Sequence, residues 1–180
     1  MRFHRFHLFL VAILCGALAT QAQAAAPTLT GIETTPLLYR DTDPLPAITS
    51  AVVVDDTDSA TLASAKVQIS GNYQNGLDVL NYVQVGGITG TFDASTGTLT
   101  LTGSDTLANY QLALRAVTFH NNSVKPDTAS RTVSFAVNDG TADSNTATRS
   151  ITVTAGWTED FESYASGDDL HQLTAQGKSR

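Results

Sequence analysis

The sequence predicts an all-β fold, an antiparallel sandwich interrupted by one short helical segment. Three observations carry that expectation. Between Pro27 and about Ala155 the apolar residues alternate with polar ones at period two, in short runs broken by turn dipeptides such as Asn75-Gly76 and Asp139-Gly140. The runs recur at roughly 8–12 residue spacing with no long helical pattern between them, which favours a sandwich over alternating strands and helices. Charged residues make up only 15 % of the chain, and Thr, Ser, Ala and Gly are abundant. A disordered chain is instead highly charged and poor in apolar residues.

In chain order the expected strands are Thr28–Glu33, Ala47–Val54, Ala65–Ser70, Val79–Val85, Ile88–Phe92, Thr98–Thr102, Ala116–Asn121, Arg131–Val137 and Ala147–Thr154. The clearest hairpin runs from Ile88 to Phe92 and returns over Leu99 to Thr102. Asp93 to Gly97 supply its turn, where Gly97 adopts a positive φ cheaply. One segment departs from period two. Leu107, Tyr110, Leu114 and Val117 recur at spacings of three and four, which suits one or two helical turns with Tyr110 in the core.

Residues 1–24 read as an export signal. Arg2 and Arg5 form a basic start, Leu8 to Leu18 an apolar stretch, and Ala22-Gln23-Ala24 the small residues a signal peptidase reads. The stretch is shorter than the roughly 20 apolar residues that span a bilayer, and none follows, so no transmembrane anchor is expected after cleavage. Cleavage removes Cys15, the single cysteine. The mature domain is therefore expected to rely on its core, or on a bound ion, where many exported domains use disulfides. Cleavage also leaves eight basic against seventeen acidic residues, a charge of −9. That argues against nucleic acid as a partner, which requires a basic face. The expected location is extracellular, periplasmic or cell-surface.

The mature chain is long enough for one domain, residues 27–155, with 156–180 left over. That tail carries Trp157, Phe161 and Tyr164 among several acids. Too short for its own core, it reads either as a segment docked on the sandwich or, as favoured, as the start of a second, truncated domain.

The carboxylates gather at strand ends: Asp41 and Asp43; Asp55, Asp56 and Asp58; Asp139 and Asp143. Calcium takes six to eight oxygens at about 2.3–2.6 Å, from carboxylates, amides and carbonyls. Alternate residues of a straight strand stand ~6.6 Å apart, so an Asp-x-Asp pair shares an ion only where the chain curls, as expected at Thr57-Asp58-Ser59. The expected cation ligands are Asp55, Asp56, Asp58, Asn138 and Asp139, with Asp56, Asp58 and Asp139 foremost and Glu33 and Asn145 as further candidates. The competing reading is that each aspartate caps its own turn through backbone hydrogen bonds.

Nothing in the pattern calls for catalysis, and the chain is read as not an enzyme. After cleavage only His120 and His171 remain, without partners at metal-ligand spacing, and there is no Gly-x-Ser-x-Gly nucleophile turn. Asn121-Asn122-Ser123 matches a glycosylation sequon. Tyr39, Tyr73, Tyr82 and Tyr110 are candidates for a binding face, Tyr110 being read rather as core, and no ligand is assigned to them.

The string from Leu107 to Phe119, the segment from Arg131 to Gly140, Val54-Asp55-Asp56-Thr57-Asp58 onward to Val67, and Ile88-Thr89-Gly90-Thr91 together resemble a signature of bacterial extracellular repeats. These are cadherin-like and similar to the chondroitin-sulfate-proteoglycan type. The resemblance spans about residues 27–155. It implies an Ig-like β-sandwich strung in surface arrays, often calcium-stiffened at the joints, with roles in cell adhesion or matrix architecture. It places the ion ligands in Asp-Asp-Thr-Asp 55–58 and Asn-Asp-Gly 138–140. The chain departs from the family in holding one copy rather than many, and in having Ala136-Val137 before Asn138 where true cadherins carry an Asp-x-Asn-Asp string. The tail from Glu159 to Gly167 resembles the opening strand of lectin or laminin-G jelly rolls.

Together these readings describe an exported structural or adhesive module, a calcium-stiffened spacer whose partners are neighbouring β-domains, surface glycans or matrix. The alternative is a carbohydrate-binding accessory module that uses the aromatic tail.

Overall fold

The computed structural model describes residues 24–40 and 44–154, and these are mostly strand with one short helix. The strands are β1 (Thr28–Thr30), β2 (Leu37–Arg40), β3 (Val53–Asp55), β4 (Thr61–Gly71), β5 (Asp78–Asn81), β6 (Thr89–Asp93), β7 (Thr98–Thr106), β8 (Thr118–Asn121), β9 (Arg131–Asn138) and β10 (Ala147–Thr154); the helix α1 is Leu107–Arg115. They form a six-stranded sheet in the order β2-β10-β9-β4-β7-β6 and two two-stranded sheets, β1-β3 and β5-β8. The signal-peptide and tail expectations fall outside the described residues, apart from Ala24.

Alternation explains the large sheet. On β9, Val133, Phe135 and Val137 are buried while Thr132, Ser134 and Ala136 are only partly so. Leu99 and Leu101 of β7, Val67 and Ile69 of β4, and Ile151 and Val153 of β10 line the same inner face. On β4 the parity breaks: Leu62 and Ala65 both point inward, three residues apart. The register shift between Leu62 and Ser64 accommodates this, because one extra residue moves every following side chain to the opposite face. Burying these side chains removes apolar area from water, so truncating one such as Phe135 to Ala costs about 3–5 kcal/mol.

Across the core lie the two small sheets and α1, contributing Leu29, Val54, Leu80, Phe119, Tyr110 and Leu114 to one continuous cluster. Tyr39 of β2 meets Phe119 of β8 edge to face at 4.9 Å. The Tyr39 hydroxyl accepts the Asn121 N–H at 3.0 Å, so an aromatic contact and a hydrogen bond join the layers at one point.

The helix forms where the period-three-and-four spacing places it. Thr106 caps its start by accepting the Asn109 N–H. Tyr110, Ala113 and Leu114 face the core, and Arg115 in the last turn donates to the Val52 carbonyl. Gln111 accepts the Val54 N–H, so the helix satisfies an edge group of β3.

The structure corrects the sequence reading in three respects. The sheet is not wholly antiparallel, because β2 pairs with β10 in parallel. Strand β2 itself was not anticipated. The expected strand Ala47–Val54 is a strand only from Val53: the Thr49 hydroxyl accepts the N–H groups of Ala51 and Val52, which curls the chain out of extension.

Candidate metal centre

Two turns bring the carboxylates together. After β3 the chain curls as the side chain of Asp56 accepts, through Oδ1, the N–H groups of Asp58 (3.1 Å) and Ser59 (3.2 Å). After β9, Asp139 Oδ1 accepts from the Thr141 N–H (2.6 Å), the Thr141 hydroxyl (2.7 Å) and the Ala142 N–H (2.8 Å). Each aspartate thus makes its own turn and still has a second oxygen to offer. Sequence reasoning set turn capping against ligation as competing readings, but the geometry lets one residue do both.

The product is a cluster of Asp56, Asp58 and Asp139 in which one oxygen from each lies within 4.8 Å of the others. Two oxygens on one calcium at 2.3–2.6 Å can stand no more than about 5.2 Å apart, so the set fits a single hard cation. Asp56 Oδ2 is buried and, among the described residues, has no hydrogen-bond partner. A buried carboxylate oxygen without a donor is costly, and a cation is one means of satisfying it. The Thr141 hydroxyl, followed by the Ala142 and Thr141 N–H groups, holds the Asp139 carboxyl below the usual carboxylate range, so it is charged at neutral pH.

The other expected ligands do different work. Asp55 is exposed, lies outside the cluster and accepts the Asp56 N–H. Asn138 spends both ends of its amide, accepting from the Gly140 N–H and donating to Asp143 Oδ1, each at 2.6 Å. Asn145 pins β1 like a strand partner, accepting the Leu29 N–H at 2.8 Å and donating to the Leu29 carbonyl at 2.9 Å. Glu33 binds Thr49 and Ser50 and pairs with Arg149 at 3.4 Å. Asp41 and Asp43 lie outside the described residues.

The chain passes beside this cluster as it enters the domain, with the Ala25 N–H donating to Asp58 Oδ2 at 2.8 Å. Sequence reasoning gave no sign of that contact, because an unpatterned backbone N–H leaves no trace in residue type.

The remaining candidates resolve into structure. His120 is half-buried with Nδ1 3.3 Å from the Tyr39 hydroxyl, and His171 lies outside the described residues. Tyr39 and Tyr110 are buried in the core, while Tyr73 and Tyr82 lie over Gly97 and Gly90. The sequon at Asn121 is closed, because that side chain is buried and donates to Asp78 Oδ1 at 2.6 Å. A shallow depression of about 270 Å³ lies over β4 and β9, lined in part by Lys66, Asn138, Asp143 and Ser144. Its one carboxylate, Asp143, is the one bonded to Asn138.

No helix among the described residues is long and apolar enough to cross a membrane. No family model matches the chain, and no curated protein or solved structure matches it.

Proposed function

We propose that this chain is an exported, non-catalytic structural or adhesive module, a spacer of the Ig-like, cadherin-like kind, that binds calcium weakly at Asp56, Asp58 and Asp139. The observation that carries the reading is the buried Asp56 Oδ2, without a hydrogen-bond partner among the described residues and within reach of two further carboxylates. The cluster offers one oxygen from each of three carboxylates, so further oxygens from protein or water complete the shell and affinity is in the range of about 10⁻⁴–10⁻³ M typical of extracellular modules.

The chain path places the start of the mature domain at the proposed site. It enters at Ala25 beside the cluster, and Asn145 holds β1 to the start of β10. From there β10 runs eight residues to Thr154, roughly 25 Å of extended strand. An ion in the cluster would fix the first residues of the mature chain, from Ala25 onward, against the domain. The strand-rich, layered build is compatible with the sandwich that the resemblance implies.

Calorimetric titration of the purified protein with calcium tests the proposal. Wild type should bind one calcium in the stated range, and Asp56→Asn should bind none. Asp56→Asn should also melt higher than wild type in EDTA, by about 1 kcal/mol of stability, because it removes one of three crowded charges and keeps the turn-forming oxygen. Absence of calcium binding by wild type would refute the proposal.

A further inference from the structure

Between β4 and β5 the chain turns tightly over Gln74-Asn75-Gly76-Leu77. The Leu77 N–H donates to the Gln74 carbonyl at 3.0 Å, and Gly76 has φ of 80°. Those are the marks of a type II turn, which needs a positive φ at its third residue and so selects glycine there. The turn protrudes: Asn75 and Gly76 are both exposed, and a Cβ placed on Gly76 would meet nothing within 4 Å.

This matters for the chemistry of an asparagine followed by glycine. The backbone nitrogen of the following residue attacks the side-chain carbonyl carbon when nothing crowds it and neither partner is held elsewhere. Asn75 has the only glycine on its C-terminal side among the eight asparagines. Its side chain makes no hydrogen bond among the described residues. The Gly76 N–H makes no backbone hydrogen bond among them either, although the Tyr73 hydroxyl is within reach of it. The other asparagines are restrained or badly placed. Asn121 is buried, Asn138 and Asn145 use both ends of their amides, and Asn109 donates to Asp105 from within α1.

We propose that Asn75 is a self-modifying position, which deamidates spontaneously in the folded protein. The Gly76 nitrogen forms a bond to Asn75 Cγ, the Cγ–Nδ2 bond breaks, and the amide leaves as ammonia carrying the proton lost by Gly76. Water then opens the five-membered imide at either carbonyl. Opening on the backbone side gives an isoaspartyl linkage, and opening on the side-chain side gives an ordinary aspartyl residue. No oxidant, metal or enzyme takes part.

The position gives the change a consequence. The Gln74 N–H, in the same turn, donates to Asp78 Oδ2 at 2.8 Å, and its side chain donates to Asp127 at 3.1 Å. Asp78 is the buried partner of Arg131. Deamidation therefore adds a negative charge beside two acids. The isoaspartyl product also lengthens the backbone by one carbon at the turn that covers a buried ion pair. In an exported chain this acts as a slow record of age.

The test is to hold the full purified chain, native and urea-unfolded, in mildly alkaline buffer and follow residue 75 by peptide mass mapping and isoaspartyl methyl transfer. The expected result is conversion at position 75 ahead of every other asparagine, at a native rate within about tenfold of the unfolded rate. Gly76→Ala should slow conversion by about tenfold or more, because its methyl obstructs the attacking nitrogen. Asn75→Gln, which keeps the turn glycine and the fold, should abolish the signal. If the native protein keeps Asn75 intact while the unfolded chain converts, or if Asn122 converts first, the proposal is overturned.

Discussion

Glu33 shows how a single carboxylate's role depends on its partners. Burial pushes its pKa up, but the Ser50 N–H and the Thr49 and Ser50 hydroxyls outweigh that and hold it at about 2, against an ordinary 4.5. A carboxyl depressed on folding contributes stability that is fully present above its unfolded pKa and lost as pH falls through the folded one. Wild type should therefore lose about 1–3 kcal/mol between pH 4.5 and 2 from this group. Glu33→Gln should be less stable at neutral pH by a similar amount and show a flatter acid limb in urea unfolding at stepped pH. At this scale the sequence was partly legible. Asp56, Asp58 and Asp139 could be read because their turn-forming spacing and their charge are local properties. The bonds that Glu33 and Asn145 make could not be read, because their partners lie 16 or more positions away and no spacing rule encodes that.

Element by element, what could be read was whatever a local period carries. Strands β9 and β10 and the β6–β7 hairpin have unbroken alternation, and α1 has its three-and-four spacing, so each lies close to its expected place. Strand β2 has four residues, follows Pro36 and pairs with β10 alone. Nothing short-range distinguishes it from a loop. The start of β4 was missed because the bulge inverts parity there. The turn of the β6–β7 hairpin does rest on glycine as expected: Gly97 has φ of 65°, and a Cβ would stand 2.7 Å from the Tyr73 ring. Gly97→Ala should therefore meet both backbone strain and a steric clash, and lower stability by about 1–3 kcal/mol in chemical denaturation, without affecting calcium binding.

Taken whole, the molecule joins its small sheet to its large one through a buried ion pair. Arg131 on β9 and Asp78 on β5 meet at 3.1 Å with both side chains fully buried, and Asn121 of β8 donates to the same carboxylate. Such a pair is costly to break and not costly to replace. Asp78→Ala should destabilise by about 3–5 kcal/mol, whereas the double variant Asp78→Leu/Arg131→Met should recover most of that loss in thermal unfolding. The pair joins β5 to the first residue of β9, whereas Asp139 of the acidic cluster follows that strand's last residue, so its effect on stability can be separated by mutation from the proposed ion binding. The central claim concerns the cluster. Thermal unfolding of the protein in EDTA, and then in calcium at ~100 times its dissociation constant, tests it most directly, since a ligand bound only to the folded state then adds about 2.7 kcal/mol. The account predicts a midpoint higher by roughly 5–10 °C in calcium, with the shift lost in Asp56→Asn. Identical midpoints in EDTA and calcium would contradict it and leave Asp56 and Asp139 as turn formers and Asp58 as an acceptor of the Ala25 N–H.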